Sequence, residues 1–163
     1  MKGIKLAAGL FMYRLQSGCL EIFLGHPGGP WYWNRIDACW QAPRGEVETT
    51  DKDLLSAARR EFEEETGIKT PEKGYFFLGC ARQRNGKVIY YWAFKNNWKG
   101  KSIQSNTFHM EYPEGTGDYE EFPELNDGKF FSVEDSRVRI NCTLLPMLEH
   151  LILLVAILQK GKS

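Results

Sequence analysis

One stretch constrains this chain more than any other: Gly45 to Ile68, GEVETTDKDLLSAARREFEEETGI. It sets Glu61, Glu64 and Glu65 close together within a strong helical pattern. At about 100° per residue these three carboxylates fall within an arc of roughly 100° on one helix face. Their repulsion costs a few tenths of a kcal/mol per like pair, so something positive is expected there. Leu55, Ala58 and Phe62 follow the spacing of an apolar stripe and read as the core face. Ala57, one turn before Glu61, reads as a small residue leaving room for a ligand. Arg60 reaches Glu64 at i+4 and offsets part of the repulsion. Glu63 points away and reads as solvated. Asp53, or else Asp51, is the expected N-cap, and Gly67 suits the left-handed position after the helix.

All the candidate ligands are oxygens, which favours a hard cation: magnesium, with manganese as the second choice. Glu61, Glu64 and Glu65 are the expected metal ligands, and one of them can also polarise an attacking water. The competing reading is a solvated acidic helix face. Gly45 permits a close turn and leaves its carbonyl free for a metal or phosphate. Arg44 beside it can grip a phosphate with two hydrogen bonds or form a surface ion pair. Trp31 and Trp40, with Tyr32 and Trp33, can stack on a base, or serve as ordinary packing.

The segment resembles the Nudix box, G-x5-E-x7-R-E-U-x-E-E-x-G-U, where U is bulky and apolar. Its second half matches in full through Arg60, Glu61, Phe62, Glu64, Glu65, Gly67 and Ile68. Its first half departs twice: Asp51 stands where the pattern has Glu, and Arg60 comes one residue late. His26 to Trp31 (HPGGPW), Trp40 to Gly45, Ser105 to Phe108 and Glu121 to Glu124 (EFPE) resemble a subgroup of small Nudix proteins. The resemblance covers most of residues 4–150. It implies an α/β fold of the Nudix type, an α/β/α sandwich with a mixed β-sheet. It also implies a pyrophosphohydrolase with Arg60 among the catalytic positions and a further acid from a downstream loop. Glu121 is the first choice for that acid and Glu124 the second. Within the resemblance, dinucleoside polyphosphates are the first expectation for a substrate, and nucleoside triphosphates, nucleotide sugars and capped RNA ends stay open.

A chain of 163 residues is one ordinary domain, here taken as 1–163, and can bury a real core. Its 21 basic and 21 acidic residues balance, so no footprint for duplex nucleic acid or an anionic membrane is expected. Four scattered cysteines with no C-x-x-C argue against zinc and read as buried or half-buried thiols of a cytoplasmic protein. Lys2 and Lys5 flank only a brief apolar run, which reads as a strand rather than a signal peptide. Leu151 to Leu158 is too short to span a bilayer alone and reads as the end of a buried helix or a homodimer surface.

Along the chain, strands are expected at Ile4–Arg14, Leu20–Leu24, Ala38–Ala42, Tyr75–Gln83, Lys87–Lys95 and Lys129–Ser132. The Asn85-Gly86 pair is the strongest hairpin signal. Helices are expected at Asp53–Thr66, Val133–Arg137 and Leu144–Leu158, the last interrupted early by Pro146. Asn96–Pro123 reads as a long functional loop. No phosphate-binding P-loop or dinucleotide-binding glycine fingerprint is present, which disfavours an ATPase or a dehydrogenase. The leading expectation is a metal-dependent hydrolase acting on a nucleotide-type small molecule. The rival is a nucleotide-binding sensor or interaction module that keeps the fold without turnover.

Overall fold

The computed structural model describes residues 5–162. Ile4, the expected start of the first strand, and Lys2 lie outside them. Strand β1 (Leu6–Gln16) alternates cleanly between two faces. Ala7, Phe11 and Tyr13 enter one buried cluster, and Ala8, Leu10 and Met12 enter the other. This period of two on both faces is what a strand needs when helices cover each side. Ser17 and Gly18 carry positive φ of 51° and 80°, the pattern of a tight hairpin turn into β2 (Cys19–Pro27).

After β3 (Arg44–Glu46) comes α1 (Leu54–Thr66), capped by the Asp53 side chain accepting from Ser56 N at 2.7 Å. Gly67 ends it with φ of 71°. Strands β4 (Tyr75–Arg82) and β5 (Val88–Lys95) form the Asn85-Gly86 hairpin. A separate pair follows, β6 (Thr107–Glu111) and β7 (Tyr119–Pro123), and then β8 (Leu125–Ser132), α2 (Val133–Arg139) and α3 (Leu145–Lys160). The main sheet runs β4-β5-β1-β2-β8, with β3 also pairing β1. Only the β1–β5 ladder is parallel within it, so the sheet is mixed. Helix α1 packs one face through Ala57, Ala58 and Phe62, and α3 packs the other through Leu148, Leu151 and Val155. The expected α/β/α sandwich is the observed one.

Several expectations are corrected. Ala38–Ala42 is no strand: it makes isolated bridges at Trp40 and Gln41, and the ladder begins at Arg44. The long loop Asn96–Pro123 contains the β6–β7 hairpin, whose Thr107-to-Glu111 residues pair with Pro123-to-Tyr119. Pro146 does not interrupt α3 but sits in its first turn, where its missing N–H costs nothing. Of the cysteines only Cys39 is buried, and Cys19, Cys80 and Cys142 are exposed. By length and composition Cys142–Lys160 is apolar enough to cross a membrane, yet Leu144, Leu148, Leu151 and Val155 are buried against the sheet. Leu153 and Ile157 on its outer side remain exposed.

Candidate active site

Helix α1 presents its acids over β3, and the fit is close. A Cβ on Gly45 would overlap the Glu61 carboxyl, so glycine lets that carboxyl lie directly against the strand. Ala57 does not line ligand space as expected, because it is fully buried against the sheet. Phe62 anchors the opposite face, with its ring 5.1 Å from Phe94 and 6.1 Å from Phe23. Truncating such a residue costs about 3–5 kcal/mol, so the register of the acids is held firmly.

Arg60 is the clamp of this region. Its Nε and Nη2 each donate to Asp51 at 2.9 Å, and Nη1 donates to Glu61 at 2.8 Å. It also reaches Glu64 at 3.3 Å and the Glu46 carbonyl at 3.0 Å. Asp51, at the motif position that departs from Glu, is therefore the buried partner of Arg60, with its side chain 5% exposed. The guanidinium holds its carboxyl below the ordinary range. Asp51 also accepts from Glu48 N at 2.8 Å, which closes the enlarged loop upon itself.

The three helix acids are not equivalent. Glu64 is exposed and turned toward Arg60. Glu61 is mostly buried, and that burial raises its carboxyl above the ordinary range against the pull of Arg60. Glu65 is 5% exposed. Burial pushes it up to about 8, with the charges of Glu61 and Glu124 adding to the shift. The Arg44 backbone N–H donates to Glu65 at 3.3 Å and partly opposes it. Glu63 is not simply solvated. It accepts from Thr70 N at 2.8 Å and pairs with Lys69 at 3.2 Å, tying down the chain after the helix.

Glu124 arrives from the far side of the sequence through a chain of backbone bonds. Gln104 N donates to Thr66 O and Asn106 N to Glu64 O, both at 2.9 Å, so this segment is clipped to the end of α1. Glu124 N in turn donates to Asn106 O at 2.9 Å, and Gly28 N donates to Glu124 O at 3.0 Å. Glu124 is half-buried, and burial raises its carboxyl. Glu121, the first choice from sequence, lies on exposed β7 and accepts from the Thr107 hydroxyl. The reason is alternation: Phe122 is buried, so Glu121 is turned outward. That signal was present in the sequence.

The tryptophans separate. Trp40 is 5% exposed, donates from Nε1 to Ile36 O at 2.9 Å, and packs edge-on to Phe131 and His26 at 4.8 and 5.0 Å. With Lys129 over its ring as well, it is packing rather than a stacking platform. Trp31 is exposed and lines a cavity of about 530 Å³ with Met110 and Tyr112, beside the β6–β7 hairpin.

Among the described residues no three His, Cys, Asp or Glu groups already stand close enough to close a metal shell. What the chain offers is an open platform, with Glu61 and Glu65 flanked by Glu124 and edged by Glu64. The buried like-charged acids and the all-oxygen donor set fit a hard divalent cation, whose remaining positions fall to water and substrate.

A family model for the NUDIX domain matches residues 5–145. No curated protein matches the chain. Among solved structures it is similar to the NUDIX domain of Shewanella oneidensis NrtR complexed with ADP ribose. The TM-score is 0.67 at 16% identity, covering 95% of this chain and 90% of that one. It is also similar to a C. elegans Ap4A hydrolase binary complex, with TM-score 0.63 at 21% identity, covering 92% and 98%. A third is MutT from Aliivibrio salmonicida and Vibrio cholerae, with TM-score 0.54 at 17% identity, covering 91% and 95%. These likenesses carry the fold. The family match, spanning most of the chain and the whole Gly45–Ile68 platform, makes this protein a member of the Nudix family.

Proposed function

We propose that the chain is a metal-dependent hydrolase cleaving a pyrophosphate bond in a nucleoside diphosphate linked to another moiety. The observation that carries this reading is Glu65: a buried carboxyl raised to about 8 beside Glu61 and Glu124. Such an arrangement is costly unless a cation shares the site. Two of the neighbouring solved structures are an Ap4A hydrolase and an ADP-ribose complex, which supports a nucleotide-type substrate. When bound, a divalent cation supplies charge neutralisation of the diphosphate and acidification of a water.

The protein groups divide the remaining work. Glu61 and Glu65 would hold the cation, together with Glu64 and the Gly45 carbonyl. Arg60 is a positioning residue: it fixes Glu61 and Glu64 while anchoring the loop through Asp51. Glu124 is the fourth acid, from outside the helix. Arg44, next to Glu65, grips a phosphate oxygen of the substrate. Trp31 supplies an exposed ring for a base at the hairpin side. The setting is the cytoplasm, where magnesium and nucleotides are both at hand.

The test is a magnesium-dependent hydrolysis screen over a nucleotide panel, with products identified by mass. The expected result is a nucleoside monophosphate plus a second phosphate-bearing product. Binding of panel members without turnover would replace this reading with that of a ligand sensor.

A further inference from the structure

The strand pair β6–β7 stands apart from the main sheet and carries its own charge. Between Thr107 and Pro123 the acids are Glu111, Glu114, Asp118, Glu120 and Glu121, and the same stretch has no lysine or arginine. The whole chain balances 21 basic against 21 acidic residues, so this excess is local. None of these acids forms an ion pair with a described residue. Exposed acids elsewhere do: Glu46 with Lys87, Glu72 with Arg59, and Asp37 with Arg139.

An aromatic frame lies against this hairpin. The Pro30–Tyr32 turn brings Trp31 and Trp33 to it, and Gly29 passes so close that a Cβ there would lie 3.3 Å from the Phe108 ring. The Trp33 ring is edge-on to Tyr112 at 5.8 Å and to Phe122 at 6.3 Å. Phe122 is buried and anchors the frame. Trp31, Trp33 and Tyr119 nevertheless stay more than half exposed. Clustered rings left in water mark a contact surface, because large rigid side chains gain area on docking and lose little entropy.

The cavity of about 530 Å³ beside Trp31 joins the two features. Trp31, Met110 and Tyr112 supply its apolar wall, and Glu111 and Glu114 its polar one, with no basic side chain among the lining. Glu120 lies opposite Met110 in the strand register, on the same face of the hairpin. Glu111 is held in place: one oxygen accepts from Gly117 N at 2.6 Å, which leaves the other for a ligand.

That lining selects the occupant. Rings beside carboxylates suit a group that is flat, cationic and rich in donors. A guanidinium is all three: it stacks on an aromatic face and forks onto a carboxylate. An anionic lipid surface is repelled by the unpaired acids. The acids also extend along a strand pair of about 15 Å, more than one small cation covers. We propose that the β6–β7 hairpin and the Trp31–Trp33 loop form a docking surface for an arginine-rich segment of a partner protein. One arginine side chain of that segment sits in the Trp31–Tyr112 cavity against Glu111 and Glu114. A base and an arginine cannot share the Trp31 ring, so a docked partner competes with substrate there. The docking itself does not rest on the hydrolase reading.

Calorimetry and tryptophan fluorescence at low salt, without metal or nucleotide, test the surface. The probe is the peptide acetyl-Arg-Gly-Arg-Gly-Arg-amide, with its lysine counterpart as control. The arginine probe should bind at least about threefold more tightly than the lysine probe, because only guanidinium both stacks and forks. Trp31→Ala and Glu114→Gln should each weaken it about fivefold or more, and Trp31→Phe, which keeps a ring, should recover part of the loss. Both side chains are exposed, so melting temperatures should stay within about two degrees of the wild type. Equal affinity for the two probes, or unchanged affinity in Trp31→Ala and Glu114→Gln, overturns the proposal.

Arg82 and Arg84, both exposed, give this chain an arginine pair of its own. Sedimentation at tens of micromolar separates the two sources. A dimer dissolved both by Glu114→Gln and by Arg82→Gln/Arg84→Gln would make the occupant a second copy and overturn the assignment to a partner protein. An oligomeric state that neither variant alters supports it.

Discussion

The acidic platform and a cavity of about 300 Å³ lined by Arg44, Arg82 and Arg84 meet at Arg44, and they are built in opposite ways. The platform is local: β3, one loop and one helix, from Gly45 to Gly67, supply all of it but Glu124. Its acids share a face because of helical periodicity, and Arg60 locks Glu61 and Glu64 through contacts within that stretch. The cavity is nonlocal. Gln41, Arg82, Tyr91 and Asn141 come from four separate parts of the chain and meet only once the sheet is assembled. Charge written into one helix survives as a motif, whereas charge gathered by topology leaves no pattern along the sequence.

The sharpest way to break this contrast is to neutralise the platform. Glu61→Gln or Glu65→Gln should lower turnover at least about tenfold, because each removes a charged oxygen from the cation's shell. Folding should survive, and Glu65→Gln should melt at higher temperature at neutral pH without metal, since the cost of holding a buried carboxyl protonated above its unfolded pKa is gone. Wild-type rates in both variants would take this helix out of the chemistry.

The next effect tests the one nonlocal member of the platform. Glu124→Gln should lower kcat while leaving KM nearly unchanged, as loss of an interaction made in the transition state does. Glu121→Gln should leave turnover near wild type, because its side chain faces outward to Thr107. The reverse ranking would mean that the hairpin closes over the site when substrate binds.

Arg60 comes third and acts through stability. Arg60→Gln leaves Asp51 buried without its partner, and removing one side of a buried pair costs about 3 kcal/mol. Asp51→Asn should lose less, because an amide tolerates burial better than an unpaired charge. Equal, small losses in chemical denaturation would show that the clamp is a solvent-screened contact.

Smallest is Glu63→Gln. It should leave turnover intact and cost roughly 1 kcal/mol of stability through the Thr70 contacts. A kinetic defect comparable to that of Glu65→Gln would contradict the helix register.

Most of the fold was legible because the sequence repeats its message at several levels. The two-face alternation of β1, the Asn85-Gly86 turn and the capped helix all point the same way. The β6–β7 hairpin was missed because its strands are short, half-exposed and interrupted by polar residues, so no period stands out. At the site, Glu61, Glu64 and Glu65 were read from spacing alone, but their inequality was not. Burial of Glu65 against exposure of Glu64 depends on where β3 and the Gln104–Asn106 segment lie. Trp40, in a segment expected as a strand, was a stacking candidate by residue type alone, and it is core because its ring packs edge-on against Phe131 of β8.

The central claim is that Glu65 is held buried among like charges for a cation, and stability against pH reads this directly. Its folded value of about 8 lies above the ordinary 4.5, so its contribution to stability is intact below pH 4.5 and is lost as pH rises through 8. Without metal, the melting temperature should therefore fall between pH 5 and 8.5 by more than in Glu65→Gln, as the linkage slope requires. Added magnesium should raise the wild-type melting temperature, more at the alkaline end, and do little for Glu65→Gln. Superimposable pH profiles for the two proteins, with no response to magnesium or manganese at any pH, would contradict the account.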